Sequence, residues 1–444
     1  MIFKKQIQLI LYKYKKILIA YSGGLDSTVL LYNLMKLRKK YSCIQLRAIH
    51  INHNLNYYSK HWSKTCFLQC QKWNIPFICK NITLNNQKGN IEEKARIERY
   101  KIFNKIIEKE EIIVTAHHLD DQYETILLFL KRGSGPKGLS GISQINIINK
   151  LRLFRPLLDI SRKQLLNYAI NNNLNWIEDQ SNLNNKYDRN FLRNIILPQL
   201  NYRWPYFKKS VLKTSSICRE QEELITELLS SNMNELIQND NSLSFIPLYN
   251  YSIIKRNAII RKWIEYNQCK MPSRKILSII WKNIICSKSK FKSYVKIGNY
   301  QIRKYNFNLY CIKEFFTLKN NIYKWNILFP LILPNHLGKL FFLNKYKKNT
   351  LKIRKPKKEE IVYIKFHISG KYYFSNNIKK KINIHDIWKN LNIPEWNRDN
   401  IPLLFYNNIF IAELQNNLVT LEGIDNKEKN FIFWDKNFNK KTLI

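Results

Sequence analysis

Acidic residues are scarce in this sequence, and their scarcity limits what the protein can bind. The 444 residues include 75 Lys and Arg but only 32 Asp and Glu, which gives a formal net charge of +43 at pH 7. A field of this size favours a polyanionic partner, most often a nucleic acid. A genome biased towards Lys, Ile and Asn would also raise the lysine count, but it would not explain why acidic residues are so few.

Cysteines are also few, and their spacing argues against the common metal-binding patterns. Eight occur in the chain, and no two of them form Cys-x-x-Cys. A zinc ribbon or an iron–sulfur centre is therefore not expected. The pattern instead predicts reduced, mostly buried thiols, as in a cytosolic protein.

Long hydrophobic runs are absent as well. No stretch approaches the roughly 18 uncharged apolar residues that a membrane-spanning helix needs. Lysines interrupt the apolar stretch near the N-terminus, so no signal peptide is expected. The sequence therefore predicts a cytoplasmic protein that does not enter a membrane.

From residue 16 to about 180, short apolar runs alternate with amphipathic helical patterns. The predicted strands are Ile17–Tyr21, Ile44–Asn52, Phe77–Ile82, Ile112–Ala116 and Leu151–Arg155. The helices predicted between them are Ser27–Lys39, Ser59–Asn74, Ile91–Glu108 and Asp120–Lys131. This alternation predicts an α/β fold with a doubly wound parallel sheet, whose ligands bind at the carboxyl edge of the strands.

The rest of the chain predicts two further domains. We expect the α/β catalytic domain over 1–215, a mostly helical domain over 216–315, and a small α+β C-terminal domain over 359–444. Between the last two, 316–358 is expected to be a basic linker region. Its segment Lys345–Lys358 carries eight basic residues and no acidic one, as an exposed linker or loop would.

A glycine loop, Ser22-Gly-Gly-Leu-Asp-Ser27, lies between the first predicted strand and the first predicted helix. Glycines allow successive N–H groups to converge on an anion, and the helix N-terminus adds further donors. Asp26 is out of place beside a phosphate unless it holds Mg²⁺ or takes part in the chemistry. The alternative is an ordinary glycine turn at the start of a helix.

A second cluster follows the fourth predicted strand. Thr115-Ala-His-His-Leu-Asp-Asp-Gln-Tyr-Glu-Thr125 places His117, His118, Asp121 and Glu124 close together in the sequence. Such a titratable group is typical of metal binding or acid–base chemistry. The alternative is structural: Asp120 would cap the helix, and Asp121 and Glu124 would favour its dipole.

Two further basic motifs complete the pattern. Lys131 and Arg132 open a glycine-rich loop, Lys131-Arg-Gly-Ser-Gly-Pro-Lys-Gly-Leu139, that could contact phosphates or act as a lid. The alternative is a flexible connector. Arg189 and Arg193 lie four residues apart and would share one face of a helix. They could contact a phosphate or a nucleic-acid backbone, or they could pair with Glu178 and Asp179.

These motifs resemble a known family. The glycine loop is similar to the PP-loop of the N-type ATP pyrophosphatases. The His-His-x-x-Asp-Asp cluster, the Arg-Gly-Ser-Gly loop, Trp176-Ile-Glu-Asp-Gln-Ser-Asn182 and Asp188-Arg-Asn-Phe-Leu-Arg193 follow in the order seen in tRNA(Ile)-lysidine synthetases. The similarity continues through Met271-Pro-Ser-Arg274 and Ile393–Phe405, as in the long three-domain members.

The resemblance implies an activity and its reactants. The family joins free L-lysine to carbon 2 of the wobble cytidine of tRNA(Ile) with a CAU anticodon, using ATP and Mg²⁺ through an adenylated tRNA. It implies that Asp26 and Asp121 act together in the adenylation centre. We expect these two carboxylates to hold Mg²⁺, and we nominate Asp121 as the base that accepts a proton from the lysine amine. ATP would be bound by Ser22, Gly23, Gly24, Leu25, Asp26 and Ser27. Contacts with the tRNA or its phosphates would come from His118, Lys131, Arg132, Arg189 and Arg193. A homodimer is left open.

The sequence departs from the family pattern at two places. His50-Ile-Asn-His53 has Asn52 where the family often has an aspartate, which puts any role of that carboxylate in doubt. A basic pair expected in the last domain falls on Asn383 and His385, whereas Lys379, Lys380 and Lys381 lie upstream. The tRNA contact there could be shifted or weaker.

Two other functions fit parts of the sequence. A related PP-loop enzyme could thiolate tRNA, but that chemistry commonly uses paired cysteines, which are absent here. A basic RNA-binding protein without catalysis would explain the charge, but it would not need an intact PP-loop or the Asp120-Asp121 pair.

Overall fold

The computed structural model describes residues 2–3, 10–52, 59–82, 91–148, 151–287, 293–314, 317–374, 377–424 and 430–436, without the side chains of 91–93, 181 and 377–380. The chain forms two compact units, Met1–Ser230 and Ser231–Ile444. Each unit is described separately below.

The first unit is built on a six-stranded sheet with the strand order β3-β2-β1-β4-β6-β5. Its strands are β1 (Lys16–Ala20), β2 (Gln45–Asn52), β3 (Phe77–Asn81), β4 (Glu111–Val114), β5 (Ile145–Ile148) and β6 (Leu151–Phe154). Neighbouring strands from β3 to β6 are parallel, and only the edge strand β5 is antiparallel. The predicted doubly wound α/β fold is confirmed.

Helices cover both faces of this sheet because its central strand is apolar on both sides. Ile17 and Ile19 of β1 belong to one buried cluster, whereas Leu18 between them belongs to the cluster on the opposite face. Alternate residues of a strand point to opposite faces, so a continuous apolar run needs a helical layer on each side. The same pattern makes β1 a central strand, next to both β2 and β4.

The helices of the first unit connect and follow these strands. They are α1 (Leu25–Lys40), α2 (Ser59–Lys72), α3 (Ile91–Ile106), α4 (Leu119–Lys131), α5 (Pro136–Leu139), α6 (Arg162–Asn171), α7 (Asp188–Phe191), α8 (Leu197–Arg203) and α9 (Phe207–Leu228). A 3₁₀ turn (Gln180–Leu183) precedes α7, and a π-helical turn (Leu192–Ile196) joins α7 to α8. The domain boundary predicted at 215 lies inside α9.

The second unit begins with helices and continues as antiparallel sheets. Its helices are α10 (Ser230–Leu236), α11 (Ile253–Tyr266) and α12 (Arg274–Ile279), then α13 (Ile384–Asn390) and α14 (Glu395–Arg398). Three short helical turns complete them: Ile246–Asn250, Ile280–Ile285 and Leu421–Gly423. Among the described residues, the sheet orders are β7-β10-β9-β8, β11-β15-β18-β19-β20, β12-β13-β21-β14 and the hairpin β16-β17.

The strands of the second unit are short. They are β7 (Leu243–Ser244), β8 (Tyr294–Ile297), β9 (Tyr300–Tyr305), β10 (Asn308–Lys313), β11 (Ile322–Lys324), β12 (Leu331–Leu333), β13 (Gly338–Leu343), β14 (Thr350–Ile353), β15 (Val362–Lys365), β16 (Lys371–Phe374), β17 (Asn377–Asn383), β18 (Leu403–Tyr406), β19 (Ile409–Glu413), β20 (Leu418–Val419) and β21 (Asn430–Asp435). A mostly helical part followed by a small α+β part matches the predicted class.

The segment 316–358 is not the linker that its charge predicts. It contributes β11 to β14, and β14 pairs with β21 near the end of the chain. Leu351 and Ile353 are buried, whereas Lys352 between them is exposed. Apolar residues alternate with lysine here, as in a strand with one buried face. The prediction weighed the charge of the segment and not this alternation.

The cysteines differ in part from their prediction. All eight are free, as expected, but only Cys66, Cys70 and Cys269 are buried. The predicted burial is therefore wrong for the other five. The two buried residues of α2 are four positions apart and face the sheet, as helical spacing requires.

No helix within the described ranges is long and apolar enough to cross a membrane.

Candidate active site

The glycine loop leaves the centre of the sheet and opens α1. Gly23 has φ +86°, a conformation that L side chains rarely adopt. The hydroxyls of Ser22 and Ser27 are 3.0 Å apart, and the Ser27 hydroxyl donates to the Gly24 carbonyl over 3.0 Å. These bonds hold the loop closed, and no side chain caps the N-terminus of α1. Its N–H groups are therefore suited to an anion.

The predicted loop residues have different environments. Ser22 is exposed, whereas the side chains of Leu25 and Ser27 are buried. Leu25 packs in the core, so only its backbone could face a ligand. Ser27 bonds to the loop itself, and Thr28 donates to the Gly23 carbonyl over 3.3 Å. Phosphate binding would therefore depend on backbone N–H groups and on Ser22.

The second motif lies beside this loop because β4 is the neighbour of β1. Ile19 of β1 is level with Val114 of β4, so the segments after the two strands meet at the carboxyl edge. The sheet order reverses between these strands, which is where ligands bind in doubly wound sheets. The two motifs are far apart in the sequence but close together in the structure.

His118 is the residue on which the two motifs converge. Its imidazole is 2% exposed, and Nε2 lies 3.6 Å from Asp26 Oδ2 and 3.5 Å from Asp121 Oδ2. Burial alone would lower the pKa of His118, but the hydrogen bond with Asp26 and the charge of Asp121 raise it above its usual value. Both predicted catalytic aspartates therefore lie next to the same atom, His118 Nε2.

The cap of α4 differs from the predicted one. His118 is the N-cap: its Nδ1 accepts from the Asp120 N–H over 3.2 Å, and its own N–H donates to Asp121 Oδ2 over 2.9 Å. Asp120 instead accepts from the Arg162 N–H and from Lys208 Nζ. The structural alternative of a cap at Asp120 is therefore wrong, because a histidine and Asp121 form the reciprocal capping box.

Asp26 has the environment of a metal ligand. Its Oδ1 is buried and has no hydrogen-bond partner among the described residues. A buried carboxylate oxygen without a donor is costly unless a cation or another ligand satisfies it. No group of three or more His, Cys, Asp or Glu side chains in the described ranges could hold a metal alone. Mg²⁺ often needs only one or two carboxylates together with substrate phosphates, so Asp26 fits such an ion.

Asp121 and Glu124 are held by two arginines. Arg189 donates from Nε to Glu124 and from Nη2 to Asp121, over 2.7 and 2.8 Å. Arg193 donates from Nε and Nη2 to Glu124, over 2.6 and 3.0 Å. We call these four residues the arginine clamp. Burial alone would raise the pKa of Asp121, but the charge of His118, together with that of Arg189 in the clamp, lowers it.

The clamp gives Arg189 and Arg193 partners that the sequence had not indicated. Both arginines are about a quarter exposed, whereas Glu124 is 1% exposed. Each guanidinium therefore bonds inwards while keeping one side accessible. A structural role and a phosphate contact are compatible at these positions.

Lys131 and Arg132 lie away from the centre formed by Asp26, His118 and Asp121. They are at the C-terminal end of α4, and at 1.5 Å per residue Lys131 is about 16 Å along the helix from Asp120. Lys131 bonds to Asp188 over 2.7 Å, and both side chains are exposed. The two predicted phosphate contacts are therefore surface residues at the far end of the helix.

His117 has a different hydrogen-bond partner from His118. Its Nδ1 is 2.8 Å from the Thr115 hydroxyl, and burial lowers its pKa to about 3. It is therefore neutral at physiological pH. Of the two adjacent histidines, only His118 lies between the carboxylates.

Two polar residues behind the site were not found from the sequence. Lys208 bonds to Asp120 over 2.5 Å, but nothing distinguishes it among 75 basic residues. Arg155 is 3% exposed and donates to the Ser143 carbonyl over 2.6 Å. Its position as the last residue of a predicted strand, before Pro156, was the only available signal.

The residues around Asn52 explain its departure from the family pattern. The Asn52 amide donates to Ser63 Oγ over 3.4 Å, which an aspartate could not do. His50 is buried, with Nδ1 3.0 Å from the Tyr21 carbonyl, and burial lowers its pKa. His50 is therefore a packed, hydrogen-bonded residue near the end of β2. His53 lies outside the described residues.

The second departure also has a local cause, within the second unit. Asn383 caps α13 by accepting from the His385 N–H over 3.0 Å. His385 Nε2 is 3.2 Å from the Ile368 carbonyl, and its ring packs against Trp388. A basic pair could not supply this cap. Of the upstream lysines only the Lys381 side chain is described, over the Tyr373 ring.

The fold and the loop first define a class. A PP-loop domain model matches residues 1–200, so the first unit is a PP-loop ATP-binding domain. A TilS substrate binding domain model matches residues 243–310, and a TilS substrate C-terminal domain model matches residues 370–414.

Relatives then define the family. The chain is 43% identical over 440 residues to the tRNA(Ile)-lysidine synthase of Buchnera aphidicola subsp. Schizaphis graminum, covering 97% of each. It is 41% identical over 408 residues to that of Photorhabdus laumondii, covering 90% of each. The chain belongs to the tRNA(Ile)-lysidine synthase family. A solved U34-tRNA thiolase from Methanococcus maripaludis aligns at 19% identity and a TM-score of 0.40, over 49% of this chain and 78% of that one.

Proposed function

We propose that this protein uses ATP to join lysine to the wobble cytidine of tRNA(Ile) with a CAU anticodon, and so forms lysidine through an adenylated tRNA. Membership of the tRNA(Ile)-lysidine synthase family supports the reaction. One observation carries its location: Asp26 of the PP-loop and Asp121 of α4 lie within 3.6 Å of His118 Nε2. Adenylation would occur at this point.

ATP would bind at the PP-loop. Its phosphates would accept from the N–H groups at the start of α1 and from the Ser22 hydroxyl. Asp26 would hold Mg²⁺ with its unpartnered Oδ1, and Asp121 could join it through Oδ2. Such an ion would neutralise charge on the phosphates as pyrophosphate leaves.

The cytidine would react in two steps. Its carbonyl oxygen at position 2 attacks the α-phosphate of ATP, and pyrophosphate leaves. The lysine ε-amine then attacks carbon 2, and AMP leaves. Because His118 and Arg189 lower the pKa of Asp121, this carboxylate is a weak acceptor for a free ammonium ion. It would instead take the proton after the C–N bond begins to form, when the nitrogen becomes far more acidic.

The test measures lysine incorporation and pyrophosphate release with the same tRNA. Radiolabelled lysine, ATP–Mg²⁺ and a tRNA(Ile) transcript with a CAU anticodon are combined with wild-type protein, Asp26→Asn or Asp121→Asn. Lysine incorporation by the wild type, lost in both variants while tRNA binding is kept, supports the proposal. Glu98→Gln removes an exposed carboxylate of the same unit and serves as the control.

The two readouts separate the alternatives. Pyrophosphate release without lysine incorporation would indicate that the activated tRNA reacts with a different nucleophile, such as the sulfur donor of a thiolation reaction. Salt-sensitive tRNA binding with neither signal would leave only an RNA-binding protein.

A further inference from the structure

Three aromatic side chains are exposed at one corner of the first unit. Tyr202, Trp204 and Tyr206 are 91%, 53% and 78% exposed. Tyr202 is in the last turn of α8, and Trp204 and Tyr206 are in the connection to α9, where the Trp204 N–H donates to the Leu200 carbonyl over 2.8 Å and ends α8. Three exposed rings within five residues form an apolar surface of the kind that a partner covers. We call them the aromatic corner.

The aromatic corner is attached to the first turn of α4. The Trp204 ring lies 5.8 Å from the ring of Phe207, which lies 6.2 Å from the buried ring of Tyr123. One residue further on, Lys208 bonds to Asp120. Because Asp120 directly precedes Asp121, these two attachments fix the corner beside the proposed adenylation site.

The charge around the aromatic corner selects the kind of partner. Between Asp188 and Glu220 the sequence has seven basic residues and no acidic one. Three of them pair with carboxylates of α4, whereas Arg203 and Lys209, next to the rings, are exposed. Exposed rings interleaved with cations are the surface that single-stranded nucleic acids use, because bases stack on the rings while phosphates contact the cations. An apolar protein partner would not need this charge.

We propose that Tyr202, Trp204 and Tyr206 stack the anticodon-loop bases next to the wobble cytidine. This inference rests on the proposed function, since the cytidine must reach Asp26 and Asp121 for adenylation. RNA is recognised mainly through unstacked loop bases, which need a surface once they leave the loop stack. The corner holds neighbouring bases, so the cytidine alone enters the site.

A cross-link tests the contact directly. 8-Azidoadenosine replaces the adenosine that directly follows the wobble cytidine in the CAU anticodon, and near-ultraviolet light couples it to an aromatic side chain that stacks on it. We expect the cross-linked peptide to contain residues 202–206, and we expect Trp204→Ala to reduce its yield. The cross-link is measured without catalytic turnover. Failure of the proposed function, seen as no lysidine from wild-type protein, is therefore distinct from failure of this inference.

Kinetics test its consequence. Tyr202→Ala and Tyr206→Ala remove the two most exposed rings, so folding is retained even if Trp204→Ala disturbs Phe207. We expect each to raise the KM for tRNA by about 5- to 100-fold, the usual effect of losing one stacked base, with the KM for ATP unchanged. Trp204→Phe keeps a ring and should restore most of the affinity.

Tyr12→Ala is the matched control. Tyr12 is 48% exposed but precedes β1, at the opposite edge of the sheet from the site. Equal tRNA KM values for Tyr12→Ala and all three corner variants would overturn the proposal, as would cross-links confined to other peptides. A loss of dimer in Trp204→Ala by sedimentation, with an unchanged KM for tRNA, would also overturn it and assign the corner to self-association.

Discussion

The imidazole of His118 has a defined tautomer because its two nitrogens face different groups. Nδ1 accepts from the Asp120 N–H, so the single proton of the neutral ring is on Nε2. Nε2 faces Asp26 and Asp121, and its N–H can donate to either carboxylate. The residue that caps α4 therefore also sets the spacing between two loops that come from different strands.

Gly23 also has two roles, and both depend on its lack of a side chain. A Cβ at this position would lie 2.7 Å from Cys66 Sγ and 2.9 Å from Ile177 Cδ1. Its carbonyl accepts from the Ile177 N–H over 2.9 Å. The loop thus packs so tightly on α2 and on residue 177 that no side chain fits, which keeps its N–H groups directed to the ligand.

We predict that Gly23→Ala both destabilises the protein and abolishes tRNA-dependent pyrophosphate release. The positive φ costs about 1–2 kcal/mol in any L residue, and the two close contacts add to that cost. Thermal unfolding and pyrophosphate release measure the two effects. Cys66→Ala added to Gly23→Ala should recover part of the lost Tm, because it removes one close contact but not the strained φ.

Gly133→Ala is the control for this variant. Gly133 has φ +64°, but a Cβ there meets nothing within 4 Å. It should show the backbone cost alone, with a smaller loss of Tm. Equal Tm losses for the two variants would show that packing against Cys66 and Ile177 is unimportant.

At the scale of elements, the arginine clamp joins α4 to α7 and the π-helical turn. Glu124 is 1% exposed and accepts three N–H groups from two guanidinium ions. Removing one partner from a buried ion pair leaves the other charge without compensation. The clamp is therefore a structural joint as well as the support of Asp121.

We predict that Glu124→Gln lowers the free energy of unfolding of the first unit by about 3 kcal/mol. Arg193→Lys should also destabilise it, because one ammonium group cannot make the two parallel bonds of a guanidinium. The Tm of each variant gives the measurement. Glu98→Gln breaks only the exposed pair with Lys101 and should leave Tm nearly unchanged. A Tm for Glu124→Gln equal to that of Glu98→Gln would contradict a stabilising role for the arginine clamp.

The elements of the first unit were predictable, but their contacts were not. Apolar runs between amphipathic patterns predicted β1 to β4 and α1 to α4. The central strands β1 and β4 are buried on both faces, whereas the edge strand β3 is largely exposed. β14 was missed because its exposed face is lysine, and its partner β21 is far along the chain. Sequence spacing placed Arg189 and Arg193 on one face, but it could not show that this face meets Asp121 and Glu124. The cap at His118 was missed because histidine is an uncommon N-cap.

A second joint lies in the second unit, where Arg354 follows β14. Its two terminal nitrogens bond to the two oxygens of Glu360 over 2.6 and 2.7 Å, and the Lys357 N–H donates to the same carboxylate over 2.8 Å. The hydrogen bonds from Arg354 lower the pKa of Glu360. The pair closes the basic loop that the sequence had suggested to be a linker.

We predict a pH-dependent effect of Glu360→Gln. A carboxylate whose pKa falls on folding stabilises the protein above its unfolded pKa, here about 4.5, and this stabilisation is lost as pH falls through the folded value. The variant should therefore have a lower Tm than wild type at pH 7, and the difference should shrink below about pH 4.5. Glu359→Gln, at the exposed neighbouring position, should match wild type throughout. A Tm difference for Glu360→Gln that is constant with pH would rule out the ionised pair.

At the scale of the whole molecule, the charge of +43 affects the two substrates differently. tRNA carries condensed counterions along its backbone, and each phosphate that a lysine or arginine neutralises releases them. ATP is small and would be held by directed N–H groups and a metal ion. Salt therefore distinguishes a general electrostatic attraction from a built site.

We predict that raising monovalent salt from about 50 to 200 mM weakens tRNA binding by roughly 10³-fold or more, as expected for six or more phosphate contacts. The KM for ATP at fixed free Mg²⁺ should change far less over the same range. Asp121→Asn should keep the wild-type slope of log Kd against log salt, because Asp121 contacts no phosphate of the tRNA backbone. Lys209→Gln, which removes a cation beside the aromatic corner, should reduce that slope by about one contact. A tRNA affinity that barely changes with salt would mean that the excess of lysine reflects genome composition, and that shape and base contacts alone hold the tRNA.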